Sequence, residues 1–249
     1  MKRILQAALA GLLAGLAFAG GVRAAEGGAH LEQSGVDLTD RASLQRGAKY
    51  YMGYCSGCHS LKYQRYSRIG EDLGLSEDEV KQNLMFKDGV QIGENVLTGM
   101  DAQVGKDLFG KAPPDLSVIS RVRGTDWIYT YLKSFYLDDS RPLGWNNTLF
   151  PNASMPNPLW QLQGLQHPEF GAAEAGGERP VKRLVVTQPG RLKPAEFDQV
   201  ARDITAFLAY TGEPAGLKRQ NLGVWVLLFL AFFTLMAWLL KKEYWKDVH

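Results

Sequence analysis

Cys55, Cys58 and His59, in the stretch YMGYCSGCHSLKY, are the residues whose types and spacing could do chemistry, and they include both cysteines of the chain. On a helix they would stand at i, i+3 and i+4 and project from one face. Two thiols so placed can form thioethers along one porphyrin edge while the imidazole reaches the iron. C-x-x-C-H is the attachment signature of a c-type haem.

Three other chemistries compete for these residues. A disulfide between Cys55 and Cys58 would close a very short loop and constrain the unfolded chain little. A thioredoxin-like pair would sit where a strand enters a helix, whereas the segment upstream of Cys55 has a helical pattern. A zinc site needs further thiolates or histidines, and the chain has no second Cys pair. One covalently bound haem c is therefore the expectation, with His59 on one side of the iron.

The partner on the other side decides between carrier and enzyme. A His/Met iron suits electron transfer, while an open position suits ligand or substrate chemistry. Met155, in LFPNASMPNPLW, lies in a Pro/Asn-rich loop that no helix pattern explains. Met100, in VLTGMDAQVG, is its rival, and His167 stands behind both. Met52 and Met85 fall in helical patterns and read as packing, and Met236 lies in an apolar run near the C-terminus.

The elements that must position these groups read as helices joined by long loops. LTDRASLQRGAKYYMGYC places Leu44, Gly47, Ala48, Tyr51 and Cys55 at helical spacing behind a cap at Thr39 or Asp40. Gly47 costs such a helix about 1 kcal/mol relative to Ala, which close approach of a second helix would explain. The candidate partner is KPAEFDQVARDITAFLAYTGEP, with Pro194 in its first turn, an apolar stripe from Phe197 to Leu208, and Gly212 and Pro214 as stops. Residues 76–86 and 125–136 also look helical. KRLVVT, 182–187, could be a strand, and the remainder, rich in Pro, Gly and Asn, reads as loop.

Both ends of the chain point to a membrane. Lys2 and Arg3, a long Ala/Leu/Gly run and small residues up to Ala25 make a secretory signal peptide of residues 1–24. Leu222 to Leu240 carry no charge and are bracketed by Lys218/Arg219 and Lys241/Lys242. Such a run can cross about 30 Å of hydrocarbon, with Trp225, Trp238, Tyr244 and Trp245 as interfacial aromatics. The expected layout is a periplasmic haem domain over 25–217, then a single-pass anchor and short cytoplasmic tail over 218–249. A formal net charge of +2 without a basic stripe gives no reason to expect a nucleic-acid partner.

The chain resembles the cytochrome c1 family, the haem subunits of bacterial quinol–cytochrome c reductase (bc1) complexes. The resemblance runs over residues 38–249. It rests on RGAKYYMGYCSGCHSLKY, APPDLSVISRVRGTDWIYTYL, MPNPLW, and a C-terminal span with a short basic tail, in that order. It implies a mainly α, class I cytochrome c-like domain with long loop insertions and one C-terminal transmembrane helix. Met155 becomes the implied distal ligand, Pro113 and Pro114 line the haem edge, and Arg123, ahead of Arg121, faces a propionate. It implies a non-catalytic electron carrier between the Rieske iron–sulfur protein and a soluble cytochrome c, held against cytochrome b in the inner membrane. A membrane-anchored cytochrome of another respiratory chain, and a peroxidase or gas-binding haem protein, are the competing functions. The chain departs from the family's mitochondrial members at LGWNNTLFPNAS and FGAAEAGGERPVKRL. The acidic stretch GEDLGLSEDEV could either help dock a basic cytochrome c or simply cap a helix, since Ser76 and Glu79 form a capping box.

Overall fold

The computed structural model describes residues 30–172 and 180–247. The signal-peptide segment and most of the Gly/Ala-rich stretch after Phe170 lie outside them. Contacts divide the chain into Met1–His30 and Leu31–His249, and the helices and strands of the described residues belong to the second unit.

Helix α1 (Arg41–Tyr54) starts where expected. The Asp40 side chain accepts from the Ser43 amide at 3.0 Å and satisfies one of the first-turn donors that have no partner in the helix. Its apolar face, Leu44, Ala48, Tyr51 and Met52, is buried against α8 (Pro194–Gly212), which contributes Phe197, Val200, Ala201, Ile204 and Phe207. The glycine is explained by the crossing. A Cβ on Gly47 would overlap the Asp203 carbonyl and lie 2.9 Å from the Phe207 Cβ. Beside it the Asp203 carboxylate is 1% exposed, a cost that is offset only by pairing. Ser43 Oγ donates to it at 2.6 Å, Arg46 at 2.7 and 2.9 Å through two nitrogens, and Gln199 at 2.8 Å.

Around the helices expected at 76–86 and 125–136, the stretches expected to be loop hold more structure than their composition suggested. After β1 (Leu61–Arg65), helix α2 (Tyr66–Leu73) buries Tyr66, Ile69 and Leu73 and stops at Gly74, whose φ of +68° suits glycine. Helix α3 (Glu77–Leu84) carries the expected Ser76/Glu79 capping box. Strand β2 (Asn95–Val96) pairs with β1, and α4 (Ala102–Phe109) starts on the Asp101 side chain. Short α5 (Ile119–Arg123) leads through Gly124 into α6 (Thr125–Lys133).

Helix α6 ends three residues earlier than its apolar pattern implied. Ser134 Oγ bonds back to the Thr130 carbonyl at 2.6 Å, and Phe135–Leu137 become β3, paired antiparallel with β4 (Trp145–Asn147). Aromatic and apolar residues suit strand or helix alike, and the cross-strand partner made the choice. A one-turn α7 (Trp160–Gln163) precedes β5 (Gly164–Phe170), which pairs antiparallel with β6 (Val181–Pro189). The expected strand at 182–187 is thus present, but its partner contains Pro168 and was not legible.

Helix α9 (Gly216–Tyr244) includes an apolar stretch, Leu222–Tyr244, of mean hydropathy 2.3 with none of it buried. At about 1.5 Å per residue it is long enough to cross a bilayer. Its first turns are tied to the domain at Glu213, which pairs with both Arg121 and Arg219. Among the described residues the chain is mainly α, with one helix long and apolar enough to cross a membrane.

Candidate functional site

The cysteines do not continue α1, as helical spacing had implied. The helix ends at Tyr54, and its last carbonyls are shared: Tyr51 accepts from both Cys55 N (2.8 Å) and Ser56 N (3.0 Å). Residues 55–59 form a tight turn in which the Cys58 and His59 amides both bond to the Cys55 carbonyl, at 3.0 and 2.9 Å. The His59 bond is itself an i+4 bond, so the cysteine-to-histidine register survives although the helix does not. Gly57 lies in this turn, and no atom comes within 4 Å of where its Cβ would be.

Three hydrogen bonds pin the turn from outside. Tyr51 Oη donates to the His59 carbonyl at 2.9 Å, Thr98 Oγ1 to the Gly57 carbonyl at 2.6 Å, and the Leu116 amide to the Ser60 carbonyl at 2.9 Å. Both cysteines are free thiols. Burial pushes the Cys55 thiol up to about 12, so it stays protonated at neutral pH.

His59 is 8% exposed, and its Nδ1 lies 2.7 Å from the Pro114 carbonyl oxygen. A carbonyl only accepts, so Nδ1 carries the hydrogen and Nε2 is left with a bare lone pair. Desolvation holds the imidazolium form down, against the opposing pulls of the Pro114 bond and Asp115. This tautomer is the one a metal-ligating histidine uses, with its second nitrogen oriented by a backbone carbonyl. Two free thiols, an Nε2 kept bare and a thioether on another loop fit a c-type haem by the chemistry of their donors.

Pro114 thus contacts the motif through its carbonyl. Pro113 packs instead against α4, its Cδ 2.7 Å from where a Cβ on Gly105 would lie. The next residue, Asp115, accepts from the Lys62 amide at 2.8 Å and joins this segment to β1.

The other ligand candidates are separated by the fold. Met155 is partly buried, and its sulfur accepts a hydrogen bond from Tyr131 Oη at 3.6 Å. Met100 lies beside α4, its sulfur 3.5 Å from where a Gly105 Cβ would be. His167 is exposed on β5, with Nδ1 2.7 Å from Thr187 Oγ1. Met52 is core, and Met85 caps α3 while packing against the core.

Arg123 joins the Met155 side through aromatic rings. Its guanidinium stands 4.9 Å from the Trp127 ring centroid and 5.8 Å from that of Phe150. Trp127 stacks on Tyr131 at 4.9 Å and 12°, so Arg123, Trp127, Tyr131 and Met155 form one continuous cluster. Arg121 faces away into the pair with Glu213. Sequence motifs alone do not single out Trp127, Tyr131 or Asn147. The first two stand at i, i+4 on a helix, a usable signal, whereas nothing local marks Asn147.

The acidic stretch is largely occupied by local bonds. Asp72 pairs with Arg68 and accepts from Tyr210 Oη at 3.0 Å, Glu79 closes the α3 capping box, and Glu77 pairs with Lys81 at 2.6 Å.

Comparison with known proteins decides the family. The cytochrome C1 family model matches residues 32–96 and 181–248. Cytochrome c1 of Allochromatium vinosum is 52% identical over 91% of this chain and 93% of its own length.

The chain belongs to the cytochrome c1 family.

Members are haem-carrying electron-transfer subunits of bc1 complexes. The subunit is an electron carrier, and catalysis belongs to the reductase as a whole. The first matched block contains Cys55, Cys58 and His59, and the second contains α8 and α9. Met155, Pro113, Pro114 and Arg123 lie between the blocks. The ammonia monooxygenase gamma subunit of Nitrosomonas europaea is 41% identical over 88% of this chain and 89% of its own length. A cytochrome b/c1 of Bradyrhizobium diazoefficiens is 28% identical over 84% of this chain, which spans 34% of that longer protein.

Proposed function

We propose that this chain carries one haem c bound covalently through Cys55 and Cys58, with His59 and Met155 as the residues that would hold its iron. It accepts an electron from the Rieske iron–sulfur protein of a bc1 complex and passes it to a soluble cytochrome c. The observation that carries this reading is the 2.7 Å contact between His59 Nδ1 and the Pro114 carbonyl, which leaves the Nε2 lone pair available to a metal. When bound, the haem supplies the one-electron couple, and the protein tunes its potential and exposure.

The chain's own residues do the rest. The Pro114 carbonyl raises the basicity of the His59 ring through the Nδ1 hydrogen. The Met155 thioether, a soft donor, favours the ferrous state. Arg123, held over Trp127 and Phe150, offsets a propionate carboxylate. Helix α9 keeps the domain on the periplasmic face of the inner membrane, beside cytochrome b. The Bradyrhizobium relative supports that neighbour, because its name joins both cytochromes in one protein.

The test is ligand replacement in the full-length protein. Met155→Leu keeps the side-chain volume nearly constant. It is expected to lower the potential, open the reduced protein to carbon monoxide and slow reduction of cytochrome c, whereas Met100→Leu does none of these. A carbon monoxide complex forming only in the Met100 variant would reverse the assignment. If neither variant changes the spectrum, His167 is the next to replace. Purification with cytochrome b and a Rieske centre supports the bc1 placement. Recovery with an oxygenase would instead put the chain in an assembly like that of the Nitrosomonas relative.

A further inference from the structure

We propose that Tyr131 is a positioning residue for the distal ligand: its phenolic hydrogen orients the Met155 sulfur and sets how strongly that sulfur donates. The inference rests on the reading of Met155 as the axial ligand. Its geometric basis is the 3.6 Å contact from Tyr131 Oη to Met155 Sδ.

Tyr131 is held on three sides. Its ring stacks on Trp127 at 4.9 Å and meets Phe135 edge-on, also at 4.9 Å. Its carbonyl accepts from Asn147 Nδ2 at 2.9 Å. The same Asn147 organises the methionine loop, since its Oδ1 accepts the Leu149 and Phe150 amides at 2.9 and 3.0 Å. Beyond the methionine, Asn157 donates to Gln163 at 2.8 Å, and Gln163 donates to the Lys133 carbonyl at 3.0 Å. Both flanks of the Met155 loop are therefore fastened to the C-terminal turn of α6, the turn that carries Tyr131. Hydroxyl and sulfur belong to one frame.

A methionine needs such a frame more than a histidine does. Its three rotatable bonds leave the sulfur free to swing, and a thioether is only a weak acceptor. One sulfur lone pair accepts from Tyr131, and the other would be left for the haem iron. That hydrogen bond withdraws electron density from the sulfur, which would weaken its donation to ferric iron more than to ferrous iron and so raise the potential. It also selects one rotamer of the side chain.

The experiment uses the full-length haem-loaded protein. Tyr131→Phe keeps the ring stack and removes only the hydroxyl. The midpoint potential is expected to fall, with unchanged haem content and a shifted far-red band of the methionine–ferric couple. A ring-fluorinated tyrosine at position 131, a stronger donor of the same shape, is expected to move the potential upward. Opposite signs from two near-isosteric changes are not what a purely structural residue produces. If Met155→Leu opens the reduced protein to carbon monoxide but neither change at Tyr131 moves the potential, this inference fails and the ligand assignment stands. If Met155→Leu leaves carbon monoxide binding absent, the ligand assignment fails and this inference falls with it. Should Tyr131→Phe lose haem, the fluorinated residue decides alone: an unmoved potential overturns the proposal.

Discussion

The side-chain amide of Asn147 donates to the main-chain carbonyl of Tyr131 at 2.9 Å, and Asn147 is itself fully buried. One residue of β4 thereby ties the methionine loop to the end of α6. It lies in the stretch LGWNNTLFPNAS, which leads into the loop carrying Met155. The neighbouring Asn146 repeats the device, with Oδ1 accepting the Asn147 and Asn152 amides at 2.9 Å each.

Replacing Asn147 with Ala therefore strands the Leu149 and Phe150 amides and takes one donor from the Tyr131 carbonyl, which keeps the Ser134 amide at 3.2 Å. Each buried group left without a partner costs about 1–3 kcal/mol, less where water enters. The expected outcome is a loss of about 2–4 kcal/mol in denaturant unfolding. Partial carbon monoxide binding by the reduced protein should accompany it as the Met155 loop loosens. Unfolding and binding titrations on the same preparation check both.

The crossing of α1 and α8 gives a sharper test of packing. Gly47→Ala drives a methyl group into the Asp203 main chain, and overpacking of this kind costs about 1–3 kcal/mol or more. Gly53→Ala lies on the same helix with nothing within 4 Å of the new methyl, and should be neutral or stabilising by up to about 1 kcal/mol. Thermal denaturation of the pair compares them directly. Equal effects would mean that the helices do not meet at Gly47.

Covalent attachment is checked by removing one thiol at a time. Cys55→Ala and Cys58→Ala each leave a single thioether, so each should retain less haem after acid–acetone extraction than the wild type. The double variant should retain none. Mass spectrometry of the extracted chain counts the remaining bonds. Full haem retention in the double variant would end the haem c assignment.

Truncation before Lys218 should release a haem-loaded soluble domain. The groups proposed to hold haem lie upstream of the cut, and the α1–α8 core is complete without α9. The cut removes the Arg219–Glu213 and Lys218–Asp72 pairs, the second 3.8 Å long. Both cations are well exposed, so their loss should cost at most about 1 kcal/mol per pair. Fractionation and a haem-stained gel give the answer, and a product that stays with the membrane would refute the anchor.

The sequence alone determined whatever depends on spacing along one segment. The order Cys55, Cys58, His59 carries its chemistry in any backbone that keeps a tight turn. The apolar run of α9 must become a helix in lipid, because a backbone without water has to satisfy its own hydrogen bonds. Gly47 pointed to a helix crossing, since a costly residue within a strong helical pattern requires close approach. The features that sequence could not show are those made by partners far away in the chain. His59 and Pro114 are 55 residues apart, and the tautomer was decided only when the fold brought them together. Cys55 left the helix because neighbouring amides compete for the Tyr51 carbonyl, whereas side-chain spacing records only which face a residue would occupy. Phe135–Leu137 became a strand because β4 offered a ladder, and apolar residues suit either state. Asn146 and Asn147 read as loop polarity until burial made every one of their hydrogen bonds necessary.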